Sequence, residues 1–168
     1  METLIEEALE AWGYTRAGVV DEVASLEERD VAFRPAEGSR SVAELVFHIL
    51  ESGALMAGEL SRKDGDFRRK SYDALLREHG RGIPRGKTRR QLLDALRRTQ
   101  EKGAAKIGRT GELHMLQLIR RFDGKMGTRL AWMHHGISHE EYHRGQIALC
   151  VRLLGQTPAL TRLIEGSS

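Results

Sequence analysis

The chain predicts an all-α fold, a bundle of four long helices, and three observations carry that reading. Apolar residues recur at three- and four-residue steps through most of the sequence, the spacing of one face of a helix. Helix-start residues stand at Ser41, Thr88 and Thr128, each just ahead of a periodic stretch. Gly and Pro gather between those stretches, where the chain must turn. With 168 residues and 40% hydrophobic content, one domain spanning residues 1–168 around one core is expected.

Leu4, Ile5, Ala8, Trp12, Val19, Val23 and Leu26 keep the helical period, so a first helix is predicted over about residues 2–30. Residues 33–40 contain Pro35 and Gly38 and read as a connector. Ser41-Val42-Ala43-Glu44 matches a capping box, in which hydroxyl and carboxylate serve otherwise unpaired backbone amides. A second helix starts there and runs to about Leu60. Residues 61–87 are polar, basic and glycine-containing, with one short helical candidate at Tyr72–Glu78. So long a connection reads as a lid, a binding loop or a crossover.

Thr88 caps a predicted third helix, whose positions Leu92, Leu93, Leu96 and Ala104 or Ala105 hold the period to about Ile107. Leu113–Phe122 suits a short extended segment or a helix extension equally well, and residues 122–127 carry a turn signal. Thr128 opens a fourth helix that runs to about Leu154 and is stopped by Gly155 and Pro158.

A single cysteine, Cys150, excludes an intrachain disulfide and a cysteine-based zinc module, and fits a reducing cytoplasm. The N-terminus is acidic and amphipathic, and no long apolar run follows, so a protein neither exported nor anchored in a membrane is expected. The net charge of +3 is unevenly spread: residues 1–61 carry 4 cations and 13 carboxylates, residues 62–109 carry 16 and 6, and residues 110–168 carry 7 and 5. The basic middle segment reads either as a solvated face beside an acidic one or as a holder of anions. Its aromatic residues, Phe67 and Tyr72, are too few to suggest nucleic acid. Gly82-Ile83-Pro84-Arg85-Gly86-Lys87-Thr88 lacks the first glycine of a phosphate loop, since position 81 is Arg81.

His139 and His143 lie four residues apart on the fourth helix, so both imidazoles can reach one ion. At about 100° per residue, Trp132, His135, His139, His143, Gln146, Cys150 and Leu153 share one stripe, expected to face the core. Glu140 and Glu141 point elsewhere, Arg144 reads as a salt-bridge or packing residue, and Gly145 as a place of close helix approach. On the second helix, Leu45, His48, Ile49, Ser52, Leu55 and Met56 form another stripe. If the two helices are neighbours, His48 completes three imidazoles with an open position, the arrangement of a catalytic zinc site. The other reading is two unrelated buried histidine clusters. His135 is a candidate acid/base or supporting group, and Gln146 a candidate to orient a ligand or bound water.

The runs His139-Glu140-Glu141-Tyr142-His143-Arg144-Gly145-Gln146-Ile147 and Ser41-Val42-Ala43-Glu44-Leu45-Val46-Phe47-His48, with the Arg34-Pro35 connector, resemble the DinB/YfiT-like superfamily of metal-binding four-helix bundles. The resemblance extends from the first helix to Gly155. It implies that His48, His139 and His143 are metal ligands, and that the bundle runs up-down-down-up with a long crossover between helices 2 and 3. It also implies a possible homodimer and a metal-dependent S-transferase acting with a low-molecular-weight thiol, since the family includes such enzymes and a mycothiol-dependent isomerase. Zinc or nickel is the expected ion, although imidazole also suits copper and iron. A hydrolase using activated water, and a non-enzymatic bundle stabilised by its metal, are the alternatives.

Overall fold

The structure, a computed structural model, describes residues 3–166. Its elements in chain order are helices α1 (Leu4–Ala24), α2 (Val42–Leu60), α3 (Tyr72–His79), α4 (Arg89–Gly108) and α5 (Glu112–Met115), strands β1 (Leu118–Arg120) and β2 (Met126–Thr128), and helices α6 (Arg129–Leu153) and α7 (Ala159–Gly166). Helix dominates, as expected of an all-α chain. The ambiguous stretch after α4 resolves into both readings: one turn of helix, then an antiparallel hairpin in which Ile119 faces Gly127. No helix among the described residues is long and apolar enough to cross a membrane.

The capping signals act as their chemistry requires. Ser41 accepts from the Glu44 amide at 3.2 Å, and the Glu44 carboxylate accepts from the Ser41 amide at 2.8 Å. Thr88 with Gln91 does the same for α4, and Thr128 caps α6. Gly155, at φ +80°, follows the end of α6 in a conformation a Cβ would strain. The first helix is shorter than its period suggested. It stops at Ala24, where the Ser25 hydroxyl donates to the Glu22 carbonyl, and a 3-10 turn over Glu28–Ala32 carries the chain on. Leu26 stays fully buried beyond the helix, which explains why it fitted the apolar pattern.

Helix α1 packs against α4 and α6, and α2 packs against the same two. The core they enclose has two apolar parts. One gathers Val19, Val23, Val46, Leu50, Leu96, Ile147 and Val151. The other gathers Trp12, Leu60, Phe67, Leu75, Ile107, Met115 and Met133. Between them lies a buried ion pair of Arg16 on α1 and Glu140 on α6, each only 3% exposed. The Trp12 indole N–H donates to the same carboxylate at 3.0 Å. Arg16 also donates to the Leu96 carbonyl at 2.8 Å and the Thr99 hydroxyl at 3.0 Å, tying in α4.

That pair sets the rotation of α6. Its buried side is centred on Met133, Ile137, Glu140, Arg144, Ile147 and Val151, with His143 and Cys150 of the histidine stripe buried at its margin. The expectation that the histidine stripe faces the core is therefore corrected in part: His143 and Cys150 are buried and His139 half-buried, but His135 and Leu153 at its ends are exposed. The apolar residues of α6 are too sparse to outweigh one buried carboxylate with three hydrogen bonds. Gly145 is corrected too, because a Cβ there would meet open space. Close approach falls instead at Gly136, where a Cβ would collide with Met56, drawing α2 and α6 together just ahead of His139.

Candidate metal centre

His48 comes from the second turn of α2, and His139 and His143 from successive turns of α6. The close approach of the two helices brings all three rings into one group, with a ligating nitrogen of each within 4.8 Å of the others. Nε2 of His139 lies 3.3 Å from Nε2 of His48 and 3.1 Å from Nε2 of His143. The rings meet edge to face rather than stacked.

Three features make this a place for a cation. Nδ1 of His143 is 2.7 Å from the Gln146 amide oxygen, so Nδ1 carries the proton and Nε2 keeps its lone pair. A proton on His139 Nε2 can serve only one of its two neighbours well, whereas a central cation would engage all three nitrogens. Tetrahedral bonds of about 2.0–2.1 Å place ligand nitrogens about 3.3–3.4 Å apart, close to the observed 3.1 and 3.3 Å.

The charge state agrees. Burial, then the Arg40 guanidinium and the other two rings, push His48 down to about 4. Burial chiefly, with His143 beside it, lowers His139 against the opposing pull of Glu140. Burial also lowers His143, partly offset by its bond to Gln146. All three imidazoles are thus held neutral, the form that ligates. On α2, Ser52 lies one turn beyond His48 and its hydroxyl is buried with no hydrogen-bond partner among the described residues.

His135 is not brought into the group; it is exposed, with its ring 4.9 Å from that of Trp132. Cys150 is buried and its thiol is pushed up by burial, consistent with a core residue. Neither carboxylate beside the histidines is available. Glu140 is held by Arg16 and Trp12, and Glu141 pairs with Arg144 at 3.1 Å. Arg144 in turn fills the space over Gly18, where a Cβ would overlap its guanidinium.

A second compact group, Glu59, Glu78 and His79, joins α2 to α3. No spacing pattern in the sequence links His79 to its partner Glu59, which lies twenty residues upstream. Here Arg69 bridges both carboxylates, Lys70 reaches Glu78 at 2.6 Å, and His79 Nε2 lies 2.5 Å from Glu59. Burial pushes the Glu59 carboxyl up, but the bonds from His79 and Arg69 outweigh it and hold it below the usual range.

The chain is thus a helical protein in which two packed helices bring together three imidazoles that could hold a cation. Comparison with known families makes this more specific. A sequence model of the DinB family matches residues 1–165, and the chain belongs to this family. A DinB-like protein from Bacillus subtilis shares 23% identity and superposes with a TM-score of 0.68 over 91% of this chain and 94% of its own. A DinB-like protein from Bacillus cereus shares 16% identity, also with a TM-score of 0.68, over 90% and 93%. Likeness at these identities speaks to the fold. No curated protein matches the chain.

Proposed function

We propose that this protein holds one divalent ion, zinc or nickel, on His48, His139 and His143, and uses it to transfer a small thiol to an electrophilic substrate. The chain then forms one domain, its four long helices an up-down-down-up bundle with residues 61–87 as the crossover. The observation that carries the reading is the convergence of three neutral imidazoles within 4.8 Å, with no fourth His, Cys or carboxylate ligand in the group among the described residues. Three histidines and an open position are a catalytic rather than a structural ligand set. A divalent ion bound there would lower a thiol's pKa and offer the sulfur as a nucleophile near neutral pH.

The chain's own residues divide the remaining work. Gln146 fixes the tautomer and ring orientation of His143. Arg16 and Trp12 hold Glu140 and with it the rotation of α6. The thiol reading outranks a hydrolase because both carboxylates next to the histidines are engaged, leaving no free base for water at that position.

The test is calorimetric titration of metal-loaded and metal-free protein with bacillithiol, mycothiol, glutathione and coenzyme A. Binding of one of these, at least about tenfold tighter with metal present, is the expected result. No affinity for any thiol in the loaded protein would overturn the transferase reading and return the hydrolase.

A further inference from the structure

We propose a second, separate ligand site: a basic cavity of about 620 Å³ on the α4 side of the molecule that takes an organic phosphate of nucleotide size. It lies between α2, α4 and the segment 79–86. None of the three clustered histidines lines it. The volume falls in the range of small-molecule and cofactor pockets, about 300–1,000 Å³.

Its charge is one-sided. Arg81, Arg85, Arg98, Lys102 and Lys106 line it, and Asp94 is the one carboxylate among the lining residues. Arg85 is engaged, its guanidinium 4.5 Å from the Phe47 ring centroid and attracted by Glu51. The exposed side chains of Arg81, Arg98, Lys102 and Lys106 make no hydrogen bond or ion pair among the described residues, so their donors are free for a ligand. Arg98, Lys102 and Lys106 recur at four-residue steps along α4, a ladder about 12 Å long. A ladder of that length suits two or more linked phosphates better than one isolated anion, since each cation adds a charge-assisted bond.

The lining wall also has apolar members, Ala54, Ile83 and Pro84, able to cover a nonpolar or aromatic body. The segment from Gly82 to Gly86 that fails as a phosphate loop forms part of this wall. Its neighbouring helix start cannot act as a phosphate cradle, because those amides are already used. The Lys87 and Thr88 amides donate to Gln91, and the Arg89 amide to Glu28. Recognition therefore rests on side chains, and the chemistry that matches is a diphosphate joined to a planar or apolar group.

The experiment titrates the full chain, metal-free and in about 0.15 M salt to suppress loose electrostatics, with ADP, with inorganic pyrophosphate and with a short DNA duplex. ADP should bind at least about tenfold tighter than pyrophosphate. Replacing Arg98 and Lys102 together with Gln should weaken ADP about tenfold or more. Ala54→Phe, which narrows the cavity without changing charge, should weaken ADP while leaving pyrophosphate within about threefold. His48→Ala should bind ADP like the parent, so this test stands apart from that of the metal site. Thermal melts identify a variant that fails to fold, and the other variant then decides. Absence of ADP binding, equal affinity for ADP and pyrophosphate, or tighter DNA binding that ignores Ala54→Phe would each overturn the proposal.

Discussion

The histidine centre and the group of Glu59, Glu78 and His79 are alike in size and compactness, yet their surroundings differ in charge. Each brings three potential ligand atoms within 4.8 Å. Around Glu59 the cations are already in place: Arg69 bridges two carboxylates, and Lys70 reaches Glu78. Around His139 the ring nitrogens face one another, with Arg40 near enough to disfavour protonation further. One group is neutralised by its own chain and locks α3 against α2; the other gathers ring nitrogens that meet chiefly one another. Ligand-type side chains in proximity therefore do not define a metal site. What separates the two groups is whether cations of the chain already pair directly with the ligand atoms, as they do at Glu59 and Glu78.

The largest expected effect follows directly. His139→Ala, which removes the ligand touching both others, should reduce metal affinity by more than the roughly 10–100-fold seen for supporting residues. Glu78→Gln should leave metal content unchanged. Retained metal in the first variant, or lost metal in the second, would reverse the assignment of the two groups by elemental analysis.

Stability is expected to depend on the polar layer between the two apolar parts of the core. Arg16→Ala leaves Glu140 buried and unpaired beside Trp12, and denaturant unfolding should show a loss of about 3–5 kcal/mol. Because Glu140 follows His139, the same variant should also weaken metal binding by letting α6 rotate. Unchanged metal affinity in a folded Arg16→Ala protein would separate the centre from the core beneath it.

Gln146→Ala should act more gently, lowering metal affinity about 10–100-fold without altering the helical signal, by isothermal titration and circular dichroism. An unaltered affinity would show that the His143 tautomer needs no help from Gln146.

The remaining test is the pH response of metal-free protein. His48 is held near 4 when folded and returns to 6.5 when unfolded, so the unfolded state binds the extra proton between those values. Its contribution is complete above 6.5 and lost as pH falls toward about 4. Glu59 is held below its ordinary 4.5, so its contribution is present above 4.5 and lost only as pH falls further. Unfolding measured across pH should therefore weaken first in the histidine range. A profile flat until below 4.5 would contradict the burial of His48.

Much of the fold was legible because short-range chemistry decides it. Ser41 with Glu44, Thr88 and Thr128 mark helix starts through bonds spanning three residues, and Gly155 marks a stop through its own φ. His48, His139 and His143 could be singled out because two share a helix face and the third interrupts an apolar stripe. What stayed hidden depends on partners distant in sequence. The Arg16–Glu140 pair spans 124 residues and turns α6 partly away from the orientation its histidines suggested. His79 gains meaning only from Glu59. The break after Ala24 escaped notice because Leu26 continues the apolar period into a segment that is no longer α-helix.

The central claim is that His48, His139 and His143 together hold one ion. Elemental analysis of protein purified under metal-replete conditions, beside His48→Ala and His143→Ala, tests it most directly. The account predicts one equivalent of zinc or nickel per chain in the parent and its loss in both variants while they remain folded. Parent protein without stoichiometric metal, or variants that keep it, would contradict the claim.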